Sequence, residues 1–190
     1  MSAIEAPPRV TLDEYLAMAD RDRYELVHGQ LEEACVSNQS SWTGGRIYGR
    51  LDASAEATGL GFAFPADEIL RLWPDEPDHT RRADAAFIRK DRLPGGRFPF
   101  GGVLEIAPDI VAEVISPHED ADDVETKIRE YFAAGVRLVW VAYPSTRTVH
   151  IYRPDGSAAV LDERGTISGE DVLPGLEIPV ASIFPPADDA

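Results

Sequence analysis

The chain has a single cysteine, Cys35, which excludes an internal disulfide and a zinc site built on several thiolates. Its four histidines, His28, His79, His118 and His150, show no metal-binding spacing such as HExxH. Long apolar runs are also missing: nothing approaches the roughly 18 to 20 residues of a membrane span. The first ten residues lack the basic-then-apolar order of a signal peptide, so a cytoplasmic protein with no membrane partner is expected. Positive charge is scarce, with 18 basic against 34 acidic residues and a net charge of −16. A surface of that sign repels polyanions and argues against tight, non-specific nucleic-acid binding through counterion release. It leaves open an enzyme that meets phosphate through a metal ion. Lysine is the scarcest cation: Lys90 and Lys127 are the only two, and the other basic residues are arginine.

What is present describes a globular chain. With 190 residues, 44% hydrophobic and 27% charged, it can bury a sizeable core, and fibrous, collagenous and disordered classes are excluded. One domain over 1–190 is expected, with 1–10 and 185–190 as flexible tails. Thr11 and Glu14 have capping-box spacing and predict a short helix to about residue 19. Residues 24–33 alternate on both sides of His28-Gly29 and predict a β-hairpin. A helix is compatible with 40–58, although Gly44, Gly45 and Gly49 each weaken it by about 1 kcal/mol relative to alanine.

Strands are predicted at 61–65, 68–73 and 84–88, followed by a Gly-rich loop over 93–102. The run 109–115 is almost wholly apolar and β-branched, as in a central strand covered on both faces. Residues 122–134 have helical spacing, acids in the first turn and Gly135 at the C-terminal cap. Strands at 136–143, 148–152 and 158–161 follow. Strand, helix, strand at this spacing is a βαβ crossover, and the class is α/β.

Within the apolar run one residue is out of place. Alternation sets Asp109, Val111, Glu113 and Ile115 on one face, and an uncompensated carboxylate there costs several kcal/mol. Glu113 therefore needs a partner: an arginine, water at the strand end, or a metal ion. Asp84, heading another apolar strand, reads as a turn residue or as a second metal ligand. The basic residues Arg81, Arg82, Arg89, Lys90, Arg92 and Arg97 gather around it, either to meet phosphates or as a solvated loop. Acids at 119–125 favour the dipole of the following helix and would repel DNA. Trp140 and Tyr131 read as core, and His28 and His150 as turn and strand surface.

The ordered segments 24–31 (YELVHGQL), 82–87 (RADAAF), 107–117 (APDIVAEVISP), 127–136 (KIREYFAAGV), 139–141 (VWV) and 173–176 (LPGL) resemble the Uma-type restriction endonuclease family. That family lies in the PD-(D/E)xK nuclease-like superfamily, and the resemblance runs from about residue 11 to 184. It implies a restriction-endonuclease-like core with a mixed central sheet flanked by helices, preceded by an N-terminal helix and hairpin. It further implies a metal-dependent endonuclease in which Asp84 and Glu113 hold Mg²⁺ or Mn²⁺. The superfamily's lysine position two residues after the glutamate is Ile115 here, and Lys127 on the following helix takes its place. Glu25 of the first segment supports the metal or its waters. The expected partner is nucleic acid, DNA before RNA, with a homodimer to pair two sites.

The chemistry suits these residue types: Mg²⁺ favours one or two carboxylates with waters and phosphate oxygens. A nearby ammonium can orient the nucleophile or offset charge, and arginine cannot accept a proton. The resemblance departs at Ala83, where the motif has proline, at His118, and at Gly44 in a stretch where the family tends to carry a histidine. A non-catalytic binding or assembly module and a small-phosphoester hydrolase stay open as alternatives, because fold alone does not fix function.

Overall fold

In the computed structural model, residues 8–34, 37–97, 102–117 and 119–186 are described. The outer parts of both predicted tails, Cys35, His118 and the middle of the 93–102 loop lie outside them. Helix α1 (Leu12–Ala17) opens on the predicted capping box, with the Thr11 N–H donating to Glu14 Oε2 at 2.8 Å. It ends two residues early because Met18 is already extended. Strands β1 (Tyr24–Val27) and β2 (Gln30–Glu33) form the hairpin. His28 and Gly29 both have positive φ, 49° and 79°, as a tight two-residue turn requires.

Helix α2 (Asn38–Thr58) begins two residues earlier than predicted, because Ser37 and Ser40 cap one another reciprocally. Its glycines are tolerated for different reasons. A Cβ on Gly44 would stand 3.1 Å from the Asp84 Cβ, whereas Gly45 and Gly49 face open space. The first permits a close helix approach, and the other two simply cost helix propensity.

The central sheet has the order β3-β4-β5-β6-β7-β8, made by β3 (Gly61–Pro65), β4 (Ala85–Arg89), β5 (Ile110–Val114), β6 (Leu138–Tyr143), β7 (Thr148–Tyr152) and β8 (Ala158–Leu161). Neighbours are antiparallel except β5 and β6, which are parallel and joined by helix α3 (Ala121–Ala134), the predicted crossover. The sheet is thus mixed and α/β, as expected.

Both sheet faces are covered. On one, Ala85, Phe87, Ile110, Ala112 and Trp140 pack against Ile47 and Leu51 of α2 and against the C-terminal Leu173, Ile178 and Ile183. On the other, Ala86, Ile88, Val111, Val139 and Val141 pack against Val124, Ile128 and Tyr131 of α3. The continuous apolar character of β5 follows from this double cover.

The predicted strand at 68–73 does not form. Only Leu70 makes isolated bridges, to Arg81 and to Leu104. Its apolar residues are spaced by burial under two cores, and Pro74 with the acidic turn beyond it ends any ladder. A short antiparallel pair that the sequence reading missed, β9 (Thr166–Ser168) and β10 (Glu177–Pro179), closes the C-terminal cover.

Candidate active site

The antiparallel register of β4 and β5 pairs Ala85 with Ala112 and Ala86 with Val111. One step further along that register, Asp84 comes opposite Glu113, so two carboxylates from distant segments meet at one end of the sheet. Their side chains lie on the α3 face, since alternation groups Glu113 with Val111 and Asp84 with Ala86. Helix α3 brings Lys127 and, one turn later on the same side, Tyr131 over this pair. The hairpin brings Glu25. The structure therefore collects all four residues singled out from the sequence, Glu25, Asp84, Glu113 and Lys127, around one cleft of about 620 Å³.

Each carboxylate is held by the protein through one oxygen. Asp84 Oδ2 accepts from the Val114 N–H at 2.7 Å, and Glu113 Oε1 accepts from the Tyr131 hydroxyl at 2.6 Å. Glu113 Oε2 and Glu25 Oε2 both lie 3.9 Å from Lys127 Nζ, which donates to Glu119 Oε1 at 3.1 Å. Glu25 is oriented further by the Arg82 N–H at 2.8 Å and by Arg81 at 3.2 Å. Arg81, itself buried, spans from Glu25 to Glu130, whose Oε2 is 2.7 Å from its Nε.

These contacts set the charges. Burial pushes the Glu113 carboxyl up to about 8, Lys127 opposing and Asp84 and Glu25 reinforcing. Burial also raises Asp84 to about 6 against the pull of the Val114 N–H and Lys127. Burial alone would lower the Lys127 ammonium, yet Glu113, Glu25 and Glu119 outweigh it and hold it above its ordinary value. Lys127 is thus a fixed cation inside a carboxylate cluster that lacks enough positive charge. The donor set is all oxygen and opens on a cleft, with one oxygen of Asp84 and one of Glu113 left over from their anchoring bonds. That arrangement suits a hard divalent ion, whose charge would offset the two raised carboxyls.

Sequence reading missed three participants. Tyr131 read as core and is fully buried, but its hydroxyl is what fixes Glu113. Glu119 was grouped with the acids of the helix start and is instead bonded to Lys127. Arg81, read as meeting phosphates or as part of a solvated loop, is instead spent on Glu25 and Glu130. Of the two readings of the basic residues around Asp84, one phosphate-facing surface is not what their contacts form. Arg82 reaches Asp22, Arg89 is bonded to Asp91, Arg92 reaches Asp109, and of that set only Arg81 and Arg82 line the cleft. Eleven of the lining residues are Asp or Glu against three Arg or Lys, so long-range attraction does not bring a polyanion here. At the departure near Gly44, the helix presents Ser41 to the cleft.

Comparison with known proteins agrees with this architecture. A solved structure from Anabaena variabilis, described as a putative nuclease belonging to DUF820, superposes with a TM-score of 0.76 at 21% identity, covering 92% of this chain and 97% of that one. At that identity the likeness establishes the fold, an α/β core on a mixed central sheet. The model of the Uma2 family, described as "Putative restriction endonuclease", matches residues 12–181, and the chain belongs to that family. No curated protein matches it. Among the described residues no helix is long and apolar enough to cross a membrane.

Proposed function

We propose that the protein is a divalent-metal-dependent endonuclease that hydrolyses phosphodiester bonds in nucleic acid, DNA before RNA, with Mg²⁺ or Mn²⁺ as its ion. The observation that carries this reading is the meeting of Asp84 and Glu113 across β4 and β5 beneath Lys127, in a chain of a nuclease family. Asp84 and Glu113 would hold the ion, which when bound lowers the pKa of a water and offsets charge on the phosphate. The other roles follow from the chain itself. Lys127 keeps its proton among three carboxylates, so it serves as a hydrogen-bond donor and counter-charge for an oxygen in the cleft and not as the base. Glu25, fixed by the Arg82 N–H and by Arg81, is placed to accept from a water beside that oxygen. Tyr131 holds Glu113 in one rotamer, which removes the entropy of organising it at each turnover.

The acidic lining gives a second reading a specific basis. A cleft so negative without its ion is poorly suited to a polyanion, so a non-catalytic module or an enzyme for a small phosphoester is the alternative. A cytoplasmic location and a symmetric dimer that sets two clefts on one duplex belong to the first reading. The test is cleavage of supercoiled plasmid, single-stranded DNA and RNA by wild type and Glu113→Ala in Mg²⁺, Mn²⁺ and EDTA. Cutting that requires the ion and disappears in the variant supports the nuclease and identifies the substrate. Folded wild type that binds the ions and cuts none of the three substrates favours the alternative.

A further inference from the structure

A second group of donor atoms adjoins the same cleft, which two of its three residues line, and its chemistry differs from that of Asp84 and Glu113. One ring nitrogen of His28, one of His79 and a carboxylate oxygen of Glu130 lie within 4.8 Å of one another. The three come from separate elements: the hairpin turn, the loop that backs it, and α3. The backbones of the hairpin and the loop are pinned together, Gly29 N–H donating to the Asp78 carbonyl at 2.7 Å and Thr80 N–H to the Leu26 carbonyl at 2.7 Å. His79 is 1% exposed. Its ring lies between Trp73 and His28, each 4.3 Å away centroid to centroid, the His28 ring nearly parallel at 8°. Yet among the described residues neither ring nitrogen of His79 has a hydrogen-bond partner. Its Nε2 approaches Glu130 Oε2 at 3.5 Å, an electrostatic contact and not a formed hydrogen bond.

Burying an imidazole whose Nδ1 has no hydrogen-bond partner and whose Nε2 has only the long Glu130 contact costs roughly 1 to 3 kcal/mol, which a bound ligand would offset. His28 carries the complementary feature. Its Nδ1 is 2.5 Å from Glu76 Oε2, so a carboxylate holds one nitrogen. A metal lies in the plane of each imidazole that binds it, so the exposed His28 ring turns out of its parallel stack on His79 when Nε2 meets a shared ion.

We infer that His28, His79 and Glu130 form a binding site for a transition-metal ion of the Zn²⁺ class. Two imidazoles with a carboxylate select Zn²⁺, Co²⁺ or Ni²⁺, whereas Mg²⁺ prefers oxygen donors alone. The site clips the hairpin and its backing loop to α3. Arg81 joins it to the carboxylate cluster, since the same guanidinium holds Glu130 and Glu25. Occupancy therefore bears on how Glu25 is held.

The experiment uses Co²⁺ as a visible probe and Zn²⁺ as its competitor, on the whole chain. In saturating Mg²⁺, which fills the oxygen site at Asp84 and Glu113, wild type should bind one further equivalent of Co²⁺ with d–d absorption characteristic of nitrogen and oxygen ligands, displaced by Zn²⁺. His28→Asn keeps a residue that tolerates the positive φ of this turn, and it should weaken Co²⁺ binding at least about tenfold. His79→Gln should do the same, with circular dichroism confirming the fold. Asp84→Asn and Glu113→Gln should leave the absorption and affinity unchanged. Binding unaltered by His28→Asn, or lost in Glu113→Gln, would overturn the assignment. None of these readouts depends on cleavage, so the nuclease reading and this site stand or fall separately.

Discussion

Replacing Glu113 by glutamine should stabilise the metal-free protein in mildly alkaline solution, even though Glu113 is proposed to hold the ion. In the folded chain burial, reinforced by Asp84 and Glu25 and opposed by Lys127, lifts this carboxyl from 4.5 to about 8. An acid raised in this way binds its proton more tightly in the folded state. Stability it contributes is thus complete below the unfolded pKa and falls as pH climbs towards 8. At about 1.4 kcal/mol per pH unit the interval has a ceiling of roughly 5 kcal/mol. Water entry and local relaxation reduce this to an expected effect of about 2 kcal/mol. Glutamine keeps an acceptor for the Tyr131 hydroxyl and loses only the attraction to Lys127 at 3.9 Å.

Urea unfolding in EDTA measures the difference directly. Wild type and Glu113→Gln should be of similar stability near about pH 5, and the variant should exceed wild type by about 1 to 2 kcal/mol above about pH 8. Saturating Mg²⁺ should reverse the order by stabilising wild type alone. Parallel pH profiles in EDTA would refute the reasoning, because Glu113 would then carry no raised carboxyl. Glu130 has the opposite sign: its carboxyl is lowered to about 2, so its contribution is present above 4.5 and fades as pH falls. Wild type without metal should therefore be most stable in weakly acidic solution.

Lys127→Met should cost about 2 to 4 kcal/mol above about pH 8 without metal, because Glu25, Glu113 and Glu119 lose their shared cation, and less near about pH 5, by the same denaturation assay. Tyr131→Phe removes one short hydrogen bond and should cost about 1 to 2 kcal/mol, with a weaker apparent affinity for Mn²⁺ read by calorimetry. Gly45→Ala, facing open space, should raise stability by about 1 kcal/mol. Gly44→Ala should gain less than that, and it should weaken Mn²⁺ binding where Gly45→Ala does not, since its Cβ crowds Asp84 at 3.1 Å. Equal metal affinity in these two variants would remove the argument for close helix approach.

Most of the fold was legible because local signals and tertiary burial agree. The capping box at Thr11, the His28-Gly29 turn and Gly135 after α3 each prescribe a backbone conformation that the structure adopts. The strand expected at 68–73 failed because period-two apolarity reports burial and not pairing, and Leu70 is buried while bonding only across single bridges. β9 and β10 were invisible for the converse reason. Three residues each, with one buried position apiece, they are too short for an alternation to stand out.

The site divides along a different line. Glu113 stood out because a carboxylate inside an apolar strand violates the pattern around it, Asp84 was noticed as the acid heading another apolar strand, and Lys127 and Glu25 followed from the resemblance. Tyr131 obeys the helical pattern perfectly, so its hydroxyl gave no warning. His28 and His79 are far apart in sequence, and only the hairpin folding onto the backing loop stacks their rings. Net charge misled in the same way. A count of −16 treats every carboxylate as facing solvent, yet Glu25, Glu113, Glu119 and Glu130 are partnered internally by Arg81, Arg82 and Lys127. Those partners are too few to balance them, and burial leaves Asp84 and Glu113 with raised carboxyls. The negative excess is thus concentrated where a divalent cation has most to gain, and an acidic chain is compatible with phosphate chemistry if the cation arrives first.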